Sequence, residues 1–181
     1  MTLQEAVTLI SGNSIQGDIP QRWADLGSGD GLFSRALATF LPAGSHILCV
    51  DRQAQSIGTS GPYAGHQEPV YLEFRQADFT RLDFSENPFD GFLLANSIHF
   101  VNEQGPFLQK LINSLIPSGR LILVEYDTER SNPWVPYPLS FRRLNVMLFS
   151  LGVDGVGIQK IGERPSRYHQ ATLYACEIQA P

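Results

Sequence analysis

Trp23-Ala24-Asp25-Leu26-Gly27-Ser28-Gly29-Asp30-Gly31 runs directly into Leu32-Phe33-Ser34-Arg35-Ala36-Leu37. A short apolar run ends in an acid, three glycines follow at alternate positions, and an amphipathic helix begins. Glycines so close together permit a tight turn and let a ligand approach backbone where any side chain would collide. The turn delivers the chain to a helix N-terminus, with its free N–H groups and the positive end of its dipole. In a doubly wound sheet such a turn is where nucleotide-like ligands bind.

Spacing narrows the ligand. The dinucleotide fingerprint G-x-G-x-x-G wants its third glycine at position 32, where this chain has Leu32, and no Gly-Lys-Ser/Thr of a P-loop occurs anywhere. A second acid, Asp51, closes the next apolar run, Ile47-Leu48-Cys49-Val50. It lies about 20 residues beyond the glycine turn, where nucleotide-binding sheets hydrogen-bond ribose hydroxyls. A carboxylate accepts from both hydroxyls of a diol. A solvated acid at a strand end is the plainer alternative.

Outward from this turn the pattern alternates. Leu3, Ala6, Val7 and Ile10 have helical spacing, and a polar linker from Ser14 to Gln21 leads to a strand near 22–26. A helix is expected over about 31–41 and a strand over 46–51. Between Arg52 and Pro69 the pattern fades, with Gly58, Gly61, Pro62 and Gly65 permitting at most a turn or two of helix. Strands follow at 71–76, 89–96 and 120–126, with helices at about 106–116 and 139–151. Two last runs, about 156–162 and 172–178, pair as an antiparallel hairpin. The series predicts an α/β fold: a three-layer sandwich around a doubly wound, mostly parallel seven-stranded sheet with an antiparallel C-terminal edge. Residues 1–21 are expected to form a helix and lid-like linker, and 22–181 one functional domain.

At 181 residues and a hydrophobic fraction of 43%, the chain suits one substantial core. No run reaches the length of a membrane span, and the net charge of −5 argues against a general nucleic-acid binder. Cys49 and Cys176 lie in apolar runs and are expected to be buried, reduced thiols. No basic segment precedes the first apolar residues, so a secretory signal is not expected and the chain reads as cytoplasmic. His46, His66, His99 and His169 are scattered and make no metal set with the cysteines.

An acid followed by G-x-G-x-G, with Asp51 after the second strand, resembles the first motifs of the Rossmann-like (class I) S-adenosylmethionine-dependent methyltransferases. The likeness extends from about Arg22 to Ile178. It includes Asp78-Phe79, the segment Phe89 to Val101, and Leu115-Ile116-Pro117-Ser118-Gly119, which is similar to that family's Leu-x-Pro-Gly-Gly turn with Ser118 for the first glycine. The resemblance implies S-adenosylmethionine as cofactor and methyl transfer to a small-molecule acceptor. It implies that Asp25, Gly27, Ser28 and Gly29 hold the methionine end, Asp51 the ribose, and Asp78 and Phe79 the adenine, with Arg52 flanking the adenosine unless it is simply a surface arginine. Asn96 and Ser97 would stand beside the transferred methyl. Ile98 and His99 occupy the proline positions of the amine-modifying signature, which counts against methylation of bases or glutamine amides.

Methyl transfer is a displacement at a sulfonium carbon, so alignment matters most and a base is needed only for a protonated nucleophile. His99 is the candidate base; a structural imidazole at a strand–helix turn is the alternative, and Tyr126 and Asp127 are outsiders. The loop 127–138, with Trp134 and Tyr137, is material for a wall around an acceptor. Three rival functions remain: a non-catalytic cofactor-binding domain, a protein or RNA methyltransferase using Arg142 and Arg143, and a nicotinamide oxidoreductase, which Leu32 disfavours.

Overall fold

The computed structural model describes residues 1–53, 61–63, 69–152, 157–166 and 171–180. Its eight strands are β1 (Arg22–Leu26), β2 (His46–Asp51), β3 (Gly61–Tyr63), β4 (Val70–Gln76), β5 (Phe89–Ala95), β6 (Leu115–Tyr126), β7 (Gly157–Pro165) and β8 (Thr172–Gln179). They form one sheet in the order β3-β4-β2-β1-β5-β6-β8-β7. The inner pairs from β4 to β6 are parallel, while β3 and the β8–β7 hairpin are antiparallel edges. All seven expected strands are present. The eighth, β3, lies in the segment where the sequence pattern fades: Pro62 has no N–H to donate, and it sits on an edge strand, where that is tolerated. The stretches around Gly58 and Gly65, where the sequence permits at most a turn or two of helix, and the strand start at Val156 fall outside the described residues.

Successive residues point to opposite faces of a strand, so each inner strand feeds two cores. Ala24, Leu26, Phe92, Leu94, Leu121 and Leu123 pack with helices α3 (Gln104–Ile112) and α4 (Phe141–Ser150). Trp23, Ile47, Leu93 and Ile122 pack with α1 (Leu3–Ile10) and α2 (Leu32–Ala38). These are the three layers of an α/β sandwich. Helix α1 opens on a capping box between Thr2 and Glu5. It lies against α2 and the β7–β8 edge, close enough that a methyl at Gly162 would strike the Leu9 carbonyl. Helix α4 opens on Ser140, whose hydroxyl accepts from the Arg143 N–H at 3.1 Å.

Strand β6 starts at Leu115, five residues earlier than the sequence suggests. The turn Pro117-Ser118-Gly119 is incorporated as an irregularity between its pairings with Phe89 and Gly91. Ser118 there holds φ +62°, the conformation a glycine takes without strain. Strand order reverses between β1 and β5: the chain proceeds outward through β2 and β4 on one side, and through β6 on the other. Open α/β sheets bind ligands in the crevice at such a switch, beyond the carboxyl ends of the strands.

Candidate active site

Gly27, Gly29 and Gly31 all have positive φ, at +84°, +54° and +79°. The glycine spacing in the sequence therefore reflects a backbone that L side chains rarely adopt. Gly27 and Ser28 donate their N–H groups to the Val50 carbonyl at 2.8 and 3.0 Å, fastening the turn to the end of β2. A methyl at Gly27 would lie 2.4 Å from Ser97 Cβ and 3.4 Å from the Phe79 ring edge, so the ends of β1 and β5 meet there. Ser97 donates its hydroxyl to the Leu26 carbonyl at 2.5 Å across the same junction. A methyl at Gly29, by contrast, would have nothing within 4 Å. That glycine faces open space.

Asp25 is fully buried at the end of β1. One carboxylate oxygen accepts from Ser34 Oγ at 2.6 Å, and the other has no partner. Burial, with Asp51 adding like charge, pushes its pKa up to about 7 against the bond from Ser34. Burial also drives the neighbouring Cys49 thiol up to about 12. Ser28 Oγ and Asn96 Oδ1 are likewise buried without a partner. Asn96 holds φ +53°, a conformation in which asparagine is enriched among non-glycine residues. Buried polar groups are normally satisfied, so three orphans at the ends of β1 and β5 mark a place shaped for a polar ligand.

Asp51 accepts from the Gly29 N–H at 2.9 Å and from the Gln53 N–H at 2.8 Å. A carboxylate has about four lone-pair sites, so two remain for a diol. Arg52 is exposed, with its carbonyl bound to Gln76 Nε2. Asp78 caps a short 3-10 turn, accepting from both the N–H and the hydroxyl of Thr80 at 3.0 and 2.6 Å. The Thr80 hydroxyl holds its pKa below the usual carboxylate range. Phe79 is buried with its ring centroid 5.6 Å from that of Phe107, and its edge is what approaches Gly27. The structure thus brings Gly27, Ser97 and Phe79 together, with Ser28 and Asn96 next to them in the chain and Asp25 two residues before Gly27, and links Gly29 with Asp51; Arg52 is exposed and Asp78 partly so.

His99 lies just beyond Ser97 in the chain. With Asn96 it lines a cavity of about 1050 Å³ whose lining includes Phe100, Tyr126, Thr128, Arg130, Trp134 and Val135. Its Nδ1 is 2.8 and 3.0 Å from the two carboxylate oxygens of fully buried Glu125. Sequence reasoning missed Glu125. The available signal was a lone acid continuing the apolar run Leu121 to Val124, where an unpaired charge is not buried. Asp127, the outsider, instead accepts from the Phe141 N–H at 3.0 Å at the start of α4. Among the described residues no cluster of His, Cys, Asp and Glu could hold a metal.

The family model of the methyltransferase domain matches residues 24–123, which is more than half the chain. The chain belongs to the methyltransferase domain family. A demethylmenaquinone methyltransferase from Clavibacter sepedonicus is 30% identical over 108 residues, or 60% of this chain and 42% of that protein. This chain therefore spans less than half the length of that curated relative. Among solved structures, the YcgJ protein of Bacillus subtilis superposes with a TM-score of 0.71 at 13% identity, covering 98% of both chains. The magnesium protoporphyrin IX methyltransferase of Synechocystis PCC 6803, with bound S-adenosylmethionine, gives 0.64 at 17% identity over 99% of this chain and 78% of that one. A DhpI complex with S-adenosylhomocysteine gives 0.65 at 19% identity over 99% and 86%. The residues around the turn fit an S-adenosyl group of the kind these neighbours carry: Gly29 is open, one Asp25 carboxylate oxygen has no partner to compete with an ammonium, and Asp51 closes the next strand on the side of a ribose. Among the described residues no helix is long and apolar enough to cross a membrane.

Proposed function

We propose that this chain transfers the methyl group of S-adenosylmethionine to a small-molecule acceptor held in the cavity beyond β5 and β6. The observation that carries the reading is the set of orphaned buried atoms on Asp25, Ser28 and Asn96 around a glycine turn at the topological switch. In this reading Asp25, Gly27, Ser28 and Gly29 receive the methionine end. Asp51 with Arg52 borders the ribose, and Asp78 and Phe79 border the adenine. Asn96 and Ser97 stand at the transfer point, because Asn96 belongs to both the crevice and the cavity. The bound cofactor supplies an electrophilic methyl; the chain aligns it and excludes water.

A small acceptor is supported by the aromatic lining of the cavity and by the name of the Clavibacter relative. The two buried cysteines, neither in a disulfide, support a reducing compartment, and we place the protein in the cytoplasm. Calorimetric titration with S-adenosylmethionine, S-adenosylhomocysteine and NAD tests the assignment. Micromolar binding of the first two and none of NAD is expected; binding of NAD alone would overturn it.

A further inference from the structure

We infer that the acceptor atom is the oxygen of a weakly acidic aromatic hydroxyl, that His99 Nε2 removes its proton, and that Glu125 is the residue that positions His99 for this. The inference rests on the proposed methyltransferase reading and deepens it. Glu125 is buried on β6 opposite Tyr174 of β8. Its two oxygens straddle His99 Nδ1, and they also receive the backbone N–H groups of His99 at 3.4 Å and Tyr126 at 3.2 Å. A carboxylate only accepts, so Nδ1 must carry the hydrogen and the lone pair of the neutral ring lies on Nε2. Nε2 makes no hydrogen bond among the described residues and belongs to a side chain that, though only 3% exposed, lines the cavity. A carboxylate held against the far nitrogen fixes the ring's orientation and tautomer, so that the near nitrogen is the one presented to the cavity.

This arrangement selects a nucleophile. A carboxylate acceptor arrives without its proton, and a neutral amine attacks before losing one, so neither has use for a buried base–acid pair. A hydroxyl does. As its oxygen forms a bond to the methyl carbon, the carbon–sulfur bond breaks and its electron pair stays on sulfur as a neutral thioether. The hydroxyl proton goes to Nε2 and is later lost to water. The rings of Phe100, Tyr126 and Trp134 in the cavity wall suit a flat aromatic body, which is also what makes its hydroxyl acidic enough for an imidazole.

Two measurements on the full chain decide the matter. Long-range proton–nitrogen NMR, with His99 assigned by His99→Gln, is expected to show the neutral ring protonated at Nδ1 with Nε2 bare, and Glu125→Gln is expected to lose that preference. A proton on Nε2 in the wild type would overturn the inference, and that spectrum decides even if Glu125→Gln does not fold. Second, para-nitrophenol is added to protein saturated with S-adenosylhomocysteine, below the phenol's solution pKa. The bound phenol is expected to appear as the yellow phenolate, with loss of that band in both variants while S-adenosylhomocysteine binding is unchanged. Phenol bound un-ionised, ionised equally in the variants, or displaced by para-nitroaniline in preference would overturn the inference, as would no binding of either ring. Failure of S-adenosylhomocysteine itself to bind would instead bring down the methyltransferase reading beneath it, and the titration separates the two failures.

Discussion

At the carboxyl ends of β1 and β2 the backbone does most of the shaping: Val50 holds two amides of the glycine turn, Asp51 takes a third, and Ser97 ties β5 to Leu26. Beyond β5 and β6 the surface is made of side chains instead, with aromatic rings over the buried pair of His99 and Glu125 and a largely exposed Trp134 at 70%. A backbone cradle fixes one shape for one ligand. A wall of side chains can be refitted residue by residue. The contrast implies that substitutions on the first side damage folding and cofactor binding together, whereas those on the second separate acceptor from cofactor.

The sharpest break should come at Gly27. A methyl there meets Ser97 Cβ at 2.4 Å on a backbone at φ +84°, so Gly27→Ala is expected to cost about 3 kcal/mol of stability in urea unfolding. Gly29→Ala meets nothing, and strain at φ +54° should cost about 1 kcal/mol, with loss of S-adenosylhomocysteine binding as the main effect. Equal unfolding midpoints for the two variants would show that the junction is loose.

Asp25 comes next. Its folded pKa of about 7 lies above the ordinary 3.8, so the folded state keeps a proton that the unfolded chain gives up. Its contribution is fully present below about pH 4 and falls as pH rises toward about 7, by on the order of 1 kcal/mol per unit, then levels off. Urea midpoints of wild type against Asp25→Asn across that window measure it, and a constant difference would mean the acid is already ionised. Asp51→Ala is expected to weaken S-adenosylhomocysteine binding by about 1–3 kcal/mol; unchanged affinity in the folded variant would remove Asp51 from the site. The smallest stability effect belongs to Trp134→Ala, within about 0.5 kcal/mol. It should nonetheless weaken para-nitrophenol binding far more than S-adenosylhomocysteine binding. Equal losses would erase the distinction between the two sides.

The cradle was legible in the sequence because its chemistry is local: alternate glycines and strand-end acids leave a mark within 30 residues. The side proposed to hold the acceptor was only half legible. His99 and the loop with Trp134 stand out by type, but Glu125 gains its meaning from lying across a parallel pairing of β5 and β6, 26 residues away. Strand β3 was hidden for a related reason, since Gly61 and Pro62 carry turn signals that only an edge position reconciles with a sheet. Phe79 is aromatic at the expected place, yet its ring is buried against Phe107, a packing that one-dimensional spacing does not encode.

The loop that carries Trp134 is rooted at Tyr137, whose N–H reaches the His99 carbonyl at 3.0 Å and whose own carbonyl takes Gln104 Nε2 at 2.7 Å. That root ties the loop to His99 by main chain alone, whatever side chains stand at its tip. Natural or laboratory variation at residues 131–135 could therefore retune which molecules are admitted while the chemistry behind them stays put, so this short segment is where a new substrate range is cheapest to obtain.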